Sequence, residues 1–253
     1  MPIPLETVRD LEALAFNAWP ALESVHAHGW LLRFADGYTK RANSINALAP
    51  AVPVAAILAL AEPLYAARGL PLVVRLSPLA GAEADASLAA LGFQCLDETL
   101  VMTAPLAGSL QGDAAVSIAA RPDARWSAGF AAANRVPSAH QATHDRMLAS
   151  IRNATAFASL QASRDETDAT VAWGLAVAEG GRVGLFDIVT LPQARRQGAA
   201  RRLVEALLAW GHAAGAREAY LQVMAANSAA IALYRSLGFV EAYRYHYRVN
   251  DRF

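Results

Sequence analysis

A proline, two arginines and a glycine separate a predicted strand from a predicted helix in the stretch PQARRQGAARR at 192–202. Pro192 has no N–H group and cannot continue a ladder of strand hydrogen bonds, so the strand ends there. Gly198 lets a ligand approach the backbone closely, and the helix that follows begins with unpaired N–H groups and a partial positive charge. Next to Arg195 and Arg196, this helix start predicts an anion site that suits phosphate. An ordinary strand-to-helix turn with exposed arginines is the alternative.

The segments around this turn alternate between strand and helix patterns. From residue 114 onward the predicted order is β-α-α-β-β-β-α-β-α-β. A helix over 227–239 has Asn227 as a natural N-cap, and the tail over 241–249 alternates with period two, which is typical of a strand. A helix over 198–214 carries its apolar side chains on one stripe, formed by Val204, Leu207, Leu208 and Gly211. The pattern predicts an α/β protein.

A segment rich in Pro, Gly, Ser and Ala at 103–116 predicts a linker at 105–113. The linker divides the 253 residues into a unit at 1–104 and a unit at 114–253, in line with usual domain sizes of about 100–150 residues. The first unit has a shorter order of elements, α-β-β-α-β-α-β. LAALGF in the first unit and YRSLGF in the second each end a helix before a strand, which indicates a weak internal duplication. The first unit has no counterpart of RRQGAA.

Charge and cysteine content exclude several classes of function. Lys plus Arg and Asp plus Glu number 22 each, so no overall field attracts nucleic acid or anionic lipid. Cys95 is the only cysteine, which excludes an internal disulfide and suits a reducing cytosol. The N-terminal stretch lacks the pattern of a signal peptide, and the most apolar window, AVPVAAILALAEP, is shorter than the about 20 residues of a spanning helix. We therefore expect a cytoplasmic protein without nucleic-acid or membrane partners.

Two motifs in the second unit carry a family resemblance. After the predicted strand, Arg195–Ala200 fits the pattern Arg/Gln-x-x-Gly-x-Gly/Ala, and one strand later Asn227 is followed by Leu-Tyr at 233–234 and by Leu-Gly-Phe at 237–239. With this order of elements, residues 114–250 resemble the GNAT superfamily of N-acetyltransferases. The resemblance implies a mixed α/β sheet in two tandem GNAT-like acyl-CoA N-acyltransferase folds, the first a degenerate copy without a phosphate loop. It also implies that the loop holds the pyrophosphate of coenzyme A.

The same resemblance implies roles for particular residues. The backbone around Ile188 and Thr190 would pair with the pantetheine amides and help to polarise the thioester carbonyl. Asn227 would help to seat the cofactor arm, or act only as a helix cap, and Tyr234 would protonate the departing thiolate, or be only a core aromatic. The pyrophosphate would be bound by the backbone amides of Arg195, Arg196, Gln197, Gly198, Ala199 and Ala200.

The attacking amine must also lose a proton. A lysine-like amine with a pKa of about 10.4 is neutral about once in a thousand molecules at pH 7.4, a cost of about 4 kcal/mol. Asp187, on the strand before the turn, is the first candidate for the base, and Glu179 is the second; a purely structural Asp187 is the alternative. His140 and His144 have a zinc-binding spacing but no apparent third ligand, so no metal is predicted, and a contact with the acceptor is the other interpretation.

The resulting prediction is an acetyl-CoA-dependent N-acetyltransferase that acetylates a primary amine, of a small molecule, by direct attack in a ternary complex. A protein N-acetyltransferase and a non-catalytic acyl-CoA-binding sensor are the alternatives. In the first unit, Arg41, Asn43 and Asn46 are predicted to pack near the acceptor cleft or the interface between units; a solvated edge strand is the alternative. The aromatic C-terminal strand is a candidate edge for a homodimer.

Overall fold

The computed structural model describes residues 3–107, 111–162 and 169–250. The first of these ranges forms three helices and five strands. In chain order they are α1 (Leu5–Ala18), β1 (Glu23–Ala27), β2 (Trp30–Phe34), β3 (Ile45–Ala47), α2 (Val54–Ala66), β4 (Leu72–Leu76), α3 (Ala82–Ala90) and β5 (Gln94–Pro105).

The rest of the described chain forms four helices and six strands, in the predicted order. They are β6 (Val116–Ala119), α4 (Ala124–Ala133), α5 (Ser138–Ser150), β7 (Ala154–Gln161), β8 (Thr170–Glu179), β9 (Arg182–Thr190), α6 (Ala199–Ala213), β10 (Glu218–Met224), α7 (Ser228–Ser236) and β11 (Val240–Asn250). The mixed α/β class is confirmed. None of the helices within the described ranges is long and apolar enough to cross a bilayer.

All the strands of the described residues join one sheet, in the order β1-β2-β3-β4-β11-β5-β10-β9-β8-β7-β6. β11, from the C-terminal end of the chain, lies between β4 and β5, and β5 lies between β11 and β10. Each half of the chain therefore contributes its last strand to the part of the sheet formed by the other half. Since β11 is paired on both sides, it is not an edge strand, and the expectation that it forms a dimer edge is wrong.

Two details of the first half differ from prediction. The sequence pattern does not predict β1, because its side chains are mostly exposed; it forms a hairpin with β2 through a turn in which His28 and Gly29 have positive φ. The second strand of the first unit, which the sequence KRANSINAL at 40–48 predicts, is instead a short 3-10 turn, Lys40–Ala42, followed by the three residues of β3. β5 extends to Pro105, and residues 108–110 of the predicted linker lie outside the described residues, so the division at 105–113 remains a prediction.

Close packing explains the position of α6 on the sheet. The predicted stripe of the helix is buried, and a Cβ at Gly211 would lie only 2.7 Å from Val183 of β9. Gly174 of β8 gives a similar close approach, since its Cβ would lie 2.7 Å from Ile188 and 3.0 Å from Leu207. Both glycines bring α6 against β8 and β9, which fixes the helix start at the end of β9.

Buried charges join the two halves. Arg75 of β4 forms a bidentate ion pair with Glu12 of α1, and the Tyr243 hydroxyl of β11 donates to the same carboxylate. The Arg75 guanidinium lies 3.6 Å from the ring centroid of Tyr245, also on β11. Because burial of an unpaired charge is costly, these contacts of Glu12 and Arg75 hold β11 in position beside β4.

Candidate active site

A cleft opens where β9 and β10 separate. The two strands pair in parallel only between Arg182–Leu185 and Glu218–Leu221, although each continues further along the chain. A space of about 970 Å³ lies beyond this pairing, a size typical of ligand sites. Because no described strand pairs with this side of β9 there, its backbone is open to hydrogen bonding with an extended, amide-bearing ligand.

The N-terminus of α6 lies at the mouth of the cleft. Arg196 and Gly198 both adopt the left-handed backbone conformation, with φ of 60° and 81°. Glycine takes this conformation without steric cost, whereas for an arginine it costs about 1–2 kcal/mol. Gly198, Ala199 and Ala200 line the cleft, so the unpaired first N–H groups of α6 and its partial positive charge lie at the cleft wall.

The arginines at this end differ in their partners. Arg195 Nε donates to the carbonyl of Thr190 at 3.3 Å, and Arg201 pairs with Glu205 and donates to Ser236. Arg196 is exposed and forms no ion pair within the described residues. Its charge is therefore available to an anion at the start of α6.

Nearly all the residues predicted from the sequence line this one cleft. They are Asp187, Ile188, Thr190, Arg195, Arg196, Gly198, Ala199, Ala200, Asn227 and Tyr234. Gln197 does not line it, because its side chain turns back and donates to the carbonyl of Gln193 at 2.7 Å. The structure thus brings the two sequence motifs together, while the role of each residue stays a prediction.

Asn227 and Tyr234 hold the side of the cleft formed by α7. The Asn227 side chain accepts a hydrogen bond from the N–H of Ala230 at 3.1 Å, so it is the N-cap that the sequence predicts. The Tyr234 ring packs edge-on against Phe239, and the residue is 7% exposed. Its hydroxyl has no hydrogen-bond partner among the described residues, and the side chain borders the cleft.

Burial controls the chemistry of the Tyr234 hydroxyl. It raises the pKa of this phenol from 10.0 to about 12, because the charged phenolate loses its hydration. Below that pH the hydroxyl keeps its proton. Tyr234 can therefore donate a proton or a hydrogen bond to an atom in the cleft that becomes negatively charged.

Asp187 is hydrogen-bonded to His144. The Nε2 atom of His144, on α5, lies 2.9 Å from Asp187 Oδ2, and the two side chains are 2% and 7% exposed. Asp187 has a φ of 51° at a bulge in β9, where the pairing with β8 shifts register between Trp173 and Leu175. The bulge places Asp187 in the cleft, next to Ile188.

His144 connects the cleft to a second groove. Asp187 lines the cleft between β9 and β10, whereas His144 lines a groove of about 660 Å³ between α4, α5 and β7. The histidine ring lies 5.0 Å from that of Phe130 and 5.2 Å from that of Tyr38. Within the described residues, neither His140 nor His144 belongs to a group of three potential metal ligands.

The first half of the chain closes the inner end of the cleft. Trp19, at the end of α1, stacks on Phe186 of β9 with ring centroids 6.2 Å apart. Arg41 lines the cleft and places its guanidinium 5.2 Å from the Trp19 ring centroid. Arg41 therefore lies at the cleft, and its place near the acceptor stays a prediction.

Asn43 and Asn46 are structural. Both are buried, so the alternative of a solvated edge strand is wrong. The Asn43 side chain accepts from the N–H groups of Ala35 and Gly37, and that of Asn46 donates to the carbonyls of Leu31 and Ser44. They fix the loop that carries Arg41.

Glu179, the second candidate for a base, lies at the far end of β8. Its carboxylate accepts from Asn17 and Asn153, both at 2.8 Å, and does not line the cleft. The partner that Asp187 has in the structure, His144, is one that the sequence analysis missed. No local pattern could have indicated that pair, because the two residues are 43 positions apart and on different elements.

Known proteins of similar sequence are acetyltransferases. The chain matches, over residues 6–248, the family model described as "Probable histone acetyltransferase Rv0428c C-terminal". The uncharacterized N-acetyltransferase YobR of Bacillus subtilis (strain 168) is 28% identical over 251 residues, which are 97% of this chain and 99% of YobR.

Solved structures with low sequence identity share the fold. A GCN5-related N-acetyltransferase from Kribbella flavida has a TM-score of 0.68 at 17% identity and covers 96% of this chain and 95% of that protein. A tandem GNAT protein from the clavulanic acid biosynthesis pathway has a TM-score of 0.64 at 15% identity and covers 95% of this chain and 87% of its own. These likenesses extend over both halves of the sheet.

Proposed function

The chain belongs to the family described as "Probable histone acetyltransferase Rv0428c C-terminal" and is a GNAT-type N-acetyltransferase; we propose that it transfers the acetyl group of acetyl-CoA to a primary amine of a small molecule, by direct attack in a ternary complex. The observation that carries this proposal is the cleft itself. It combines an open strand edge on β9, the start of α6 and the side chain of Tyr234 within one space.

Acetyl-CoA fits this cleft as a substrate. The pyrophosphate would accept hydrogen bonds from the amides between Arg195 and Ala200, with Arg196 as the counter-charge. The pantetheine amides would pair with β9 around Ile188 and Thr190, where the strand has no described neighbour on that side. Asn227 would hold the cofactor arm from the side of α7.

The chemistry then needs a proton acceptor and a proton donor. Asp187, oriented by His144, would accept the proton that the amine loses as its nitrogen bonds to the acetyl carbon. As the carbon–sulfur bond breaks, the sulfur takes a proton from the Tyr234 hydroxyl. Each turnover leaves Asp187 with one extra proton and Tyr234 without one. Exchange with solvent restores both groups before the next turnover.

The charge of the cleft favours a small acceptor over a basic protein. Among its described lining residues are four arginines and one carboxylate, that of Asp187. A lysine-rich protein tail would meet repulsion from such a surface. The family description that names a histone acetyltransferase is the observation that favours a protein acceptor. A higher kcat/KM for a histone-tail peptide than for any small amine would establish that alternative.

Thermal unfolding with acetyl-CoA tests the proposal. Ligand at 100 times its dissociation constant adds about 2.7 kcal/mol, so Tm should rise by several degrees. The double variant Arg196→Glu, Gly198→Asp should lose this shift, because it adds negative charge and strains the turn.

Gly215→Asp is the matched control for that variant. Gly215 follows the other end of α6, also has a positive φ, and has open space around it, since a Cβ there would meet no atom within 4 Å. The control should keep the shift. No shift of the wild type at millimolar acetyl-CoA would exclude the proposed function, whereas a shift without turnover of any amine would favour the sensor.

A further inference from the structure

Beside the inner end of the cleft, Arg33 and Arg41 line a small space with Phe186 and Gln222, and neither arginine forms an ion pair within the described residues. Arg33 of β2 is 3% exposed and donates only to carbonyl oxygens among the described residues, those of Phe16, Trp19 and Arg41. Burial and the nearby Arg75 lower the pKa of Arg33 from 12.5 to about 9, so it is still charged at neutral pH. Arg75 is balanced by Glu12, but Arg33 has no carboxylate partner within the described ranges.

Arg41 adds a second cation at this place and presents it to the cleft. Its guanidinium forms no hydrogen bond or ion pair within the described residues and lies over the face of Trp19. It lines the cleft together with Phe186, Asp187 and Gln222. A partly buried guanidinium with its donors unused, near a second buried arginine, is a site for a planar anion.

The position of this cation relative to the rest of the site indicates its ligand. The start of α6, proposed to bind phosphate, lies at the mouth of the cleft, beyond Thr190, whereas Arg41 lies beside Phe186, at the end where β9 and β10 still pair. Asp187 lies between Phe186 and Ile188 on β9. An acceptor whose amine lies at Asp187 would therefore extend toward Arg41.

We infer that the acceptor is an amine that also carries a carboxylate, which Arg41 of the first half binds while Asp187 receives the amine. The inference rests on the proposed function and gives its acceptor a chemical class, that of the amino acids. It also gives the half without a phosphate loop a direct role in the reaction. Such an acceptor is not a lysine side chain in a protein, because that amine has no carboxylate of its own.

Matched amine pairs test this inference. We would measure kcat/KM for α- and ω-amino acids with two to six carbons and for the corresponding amino amides, at equal concentrations of neutral amine. The kcat/KM of the best amino acid should exceed that of its amide by about tenfold to a hundredfold, which is the effect of one charge-assisted, bidentate contact. Aminophosphonates of the same lengths show whether the site accepts other anions; a stronger preference for phosphonate than for carboxylate would contradict the assigned class.

Variants of Arg41 connect the preference to this residue. Arg41→Gln should remove the preference for the acid with the KM for acetyl-CoA unchanged, Arg41→Lys should restore part of it, and Arg41→Glu should reverse it toward diamines. Arg68→Gln is the control, since Arg68 also lies over an aromatic ring in the first half, that of Phe34, but does not line the cleft. The control should keep the preference.

Other outcomes separate the two proposals. If acetyl-CoA raises Tm and amines are acetylated but acids and amides react equally, the inference about the acceptor is wrong and the proposed function stands. If Arg41→Gln raises the KM for acetyl-CoA and leaves the acid preference, Arg41 binds the cofactor and the inference is wrong. If acetyl-CoA does not bind at all, both fail. The acid alone should also raise the Tm of the wild type and not that of Arg41→Gln, a readout that does not depend on turnover.

Discussion

The two halves of the molecule repeat one arrangement, but the cleft opens between strands of the second half. β3 and β4 pair in parallel and are connected by α2, just as β9 and β10 pair in parallel and are connected by α6. β3, however, ends one residue after its last pair with β4, whereas β9 runs five residues past its last pair with β10. A strand that ends with its pairing leaves no open edge. The open strand edge in the second half therefore comes from the greater length of β9.

The turns before α2 and α6 also differ, and only the turn before α6 suits an anion. α2 begins after Pro50 and Pro53, and Pro53 is its N-cap. Proline removes N–H groups that an anion would need, and this turn has neither arginine nor glycine. α6 begins instead with left-handed Arg196 and Gly198. The same helix position is thus a plain start in one half and a candidate anion site in the other.

The ends of α3 and α7 are nearly identical. In each, Leu-Gly-Phe closes the helix with the glycine at positive φ, 84° for Gly92 and 87° for Gly238. The N–H of Phe93 bonds to the carbonyl of Leu88, and that of Phe239 to the carbonyl of Tyr234, both at 3.0 Å. Leu88 is fully buried at the position where α7 has its tyrosine. The same backbone frame thus holds a leucine in the core of the first half and, in the second, a tyrosine whose side chain borders the cleft.

The largest expected effect comes from removing the hydroxyl that α7 has and α3 lacks. Tyr234→Phe keeps the ring contact with Phe239 and removes only the hydroxyl, so kcat should fall by about a hundredfold to ten-thousandfold. Acetyl-CoA should still raise Tm. In the wild type the phenol is protonated below a pKa of about 12, so its loss of a proton should not limit the rate between about pH 6 and 10. An unchanged kcat would mean that Tyr234 only packs.

The next effect concerns the buried charges that join the halves. Glu12→Gln leaves Arg75 without its counter-charge and should lower the free energy of unfolding by about 3–5 kcal/mol, measured by urea denaturation. Glu23→Gln removes the exposed partner of Arg68 and should change it by no more than about 1 kcal/mol. Because each half contributes its last strand, β5 or β11, to the sheet of the other half, we expect both halves to unfold in a single transition. Two separate transitions would contradict that expectation.

The smallest of these effects on the reaction concerns the bulge of β9. Asp187→Asn removes the proposed proton acceptor, and kcat should fall by about a hundredfold near pH 7. Raising the pH should recover part of the rate, because more of the amine is then neutral. Asp113→Asn, which breaks a partly exposed pair with Arg202, is the control and should keep the rate. An equal loss at every pH would assign Asp187 a structural role.

The sequence by itself predicted what depends on neighbouring residues. Pro192 and Gly198 set the turn before α6, Asn227 caps α7, and the apolar stripe of α6 faces the sheet, as predicted. The mixed α/β class and the GNAT resemblance also followed from local patterns and motifs. Such signals act over one or two helical turns or within one strand, so a short window of sequence contains them.

Only the tertiary structure decided which distant residues meet. Three such contacts depend on the order of strands in the sheet. They are the position of β11 between β4 and β5, the hydrogen bond of His144 with Asp187, and the position of Arg41 beside Phe186. The Tyr243 hydroxyl reaches Glu12 across 231 positions of the chain. Burial and charge balance select these contacts once the whole sheet is assembled, and no short segment contains that information.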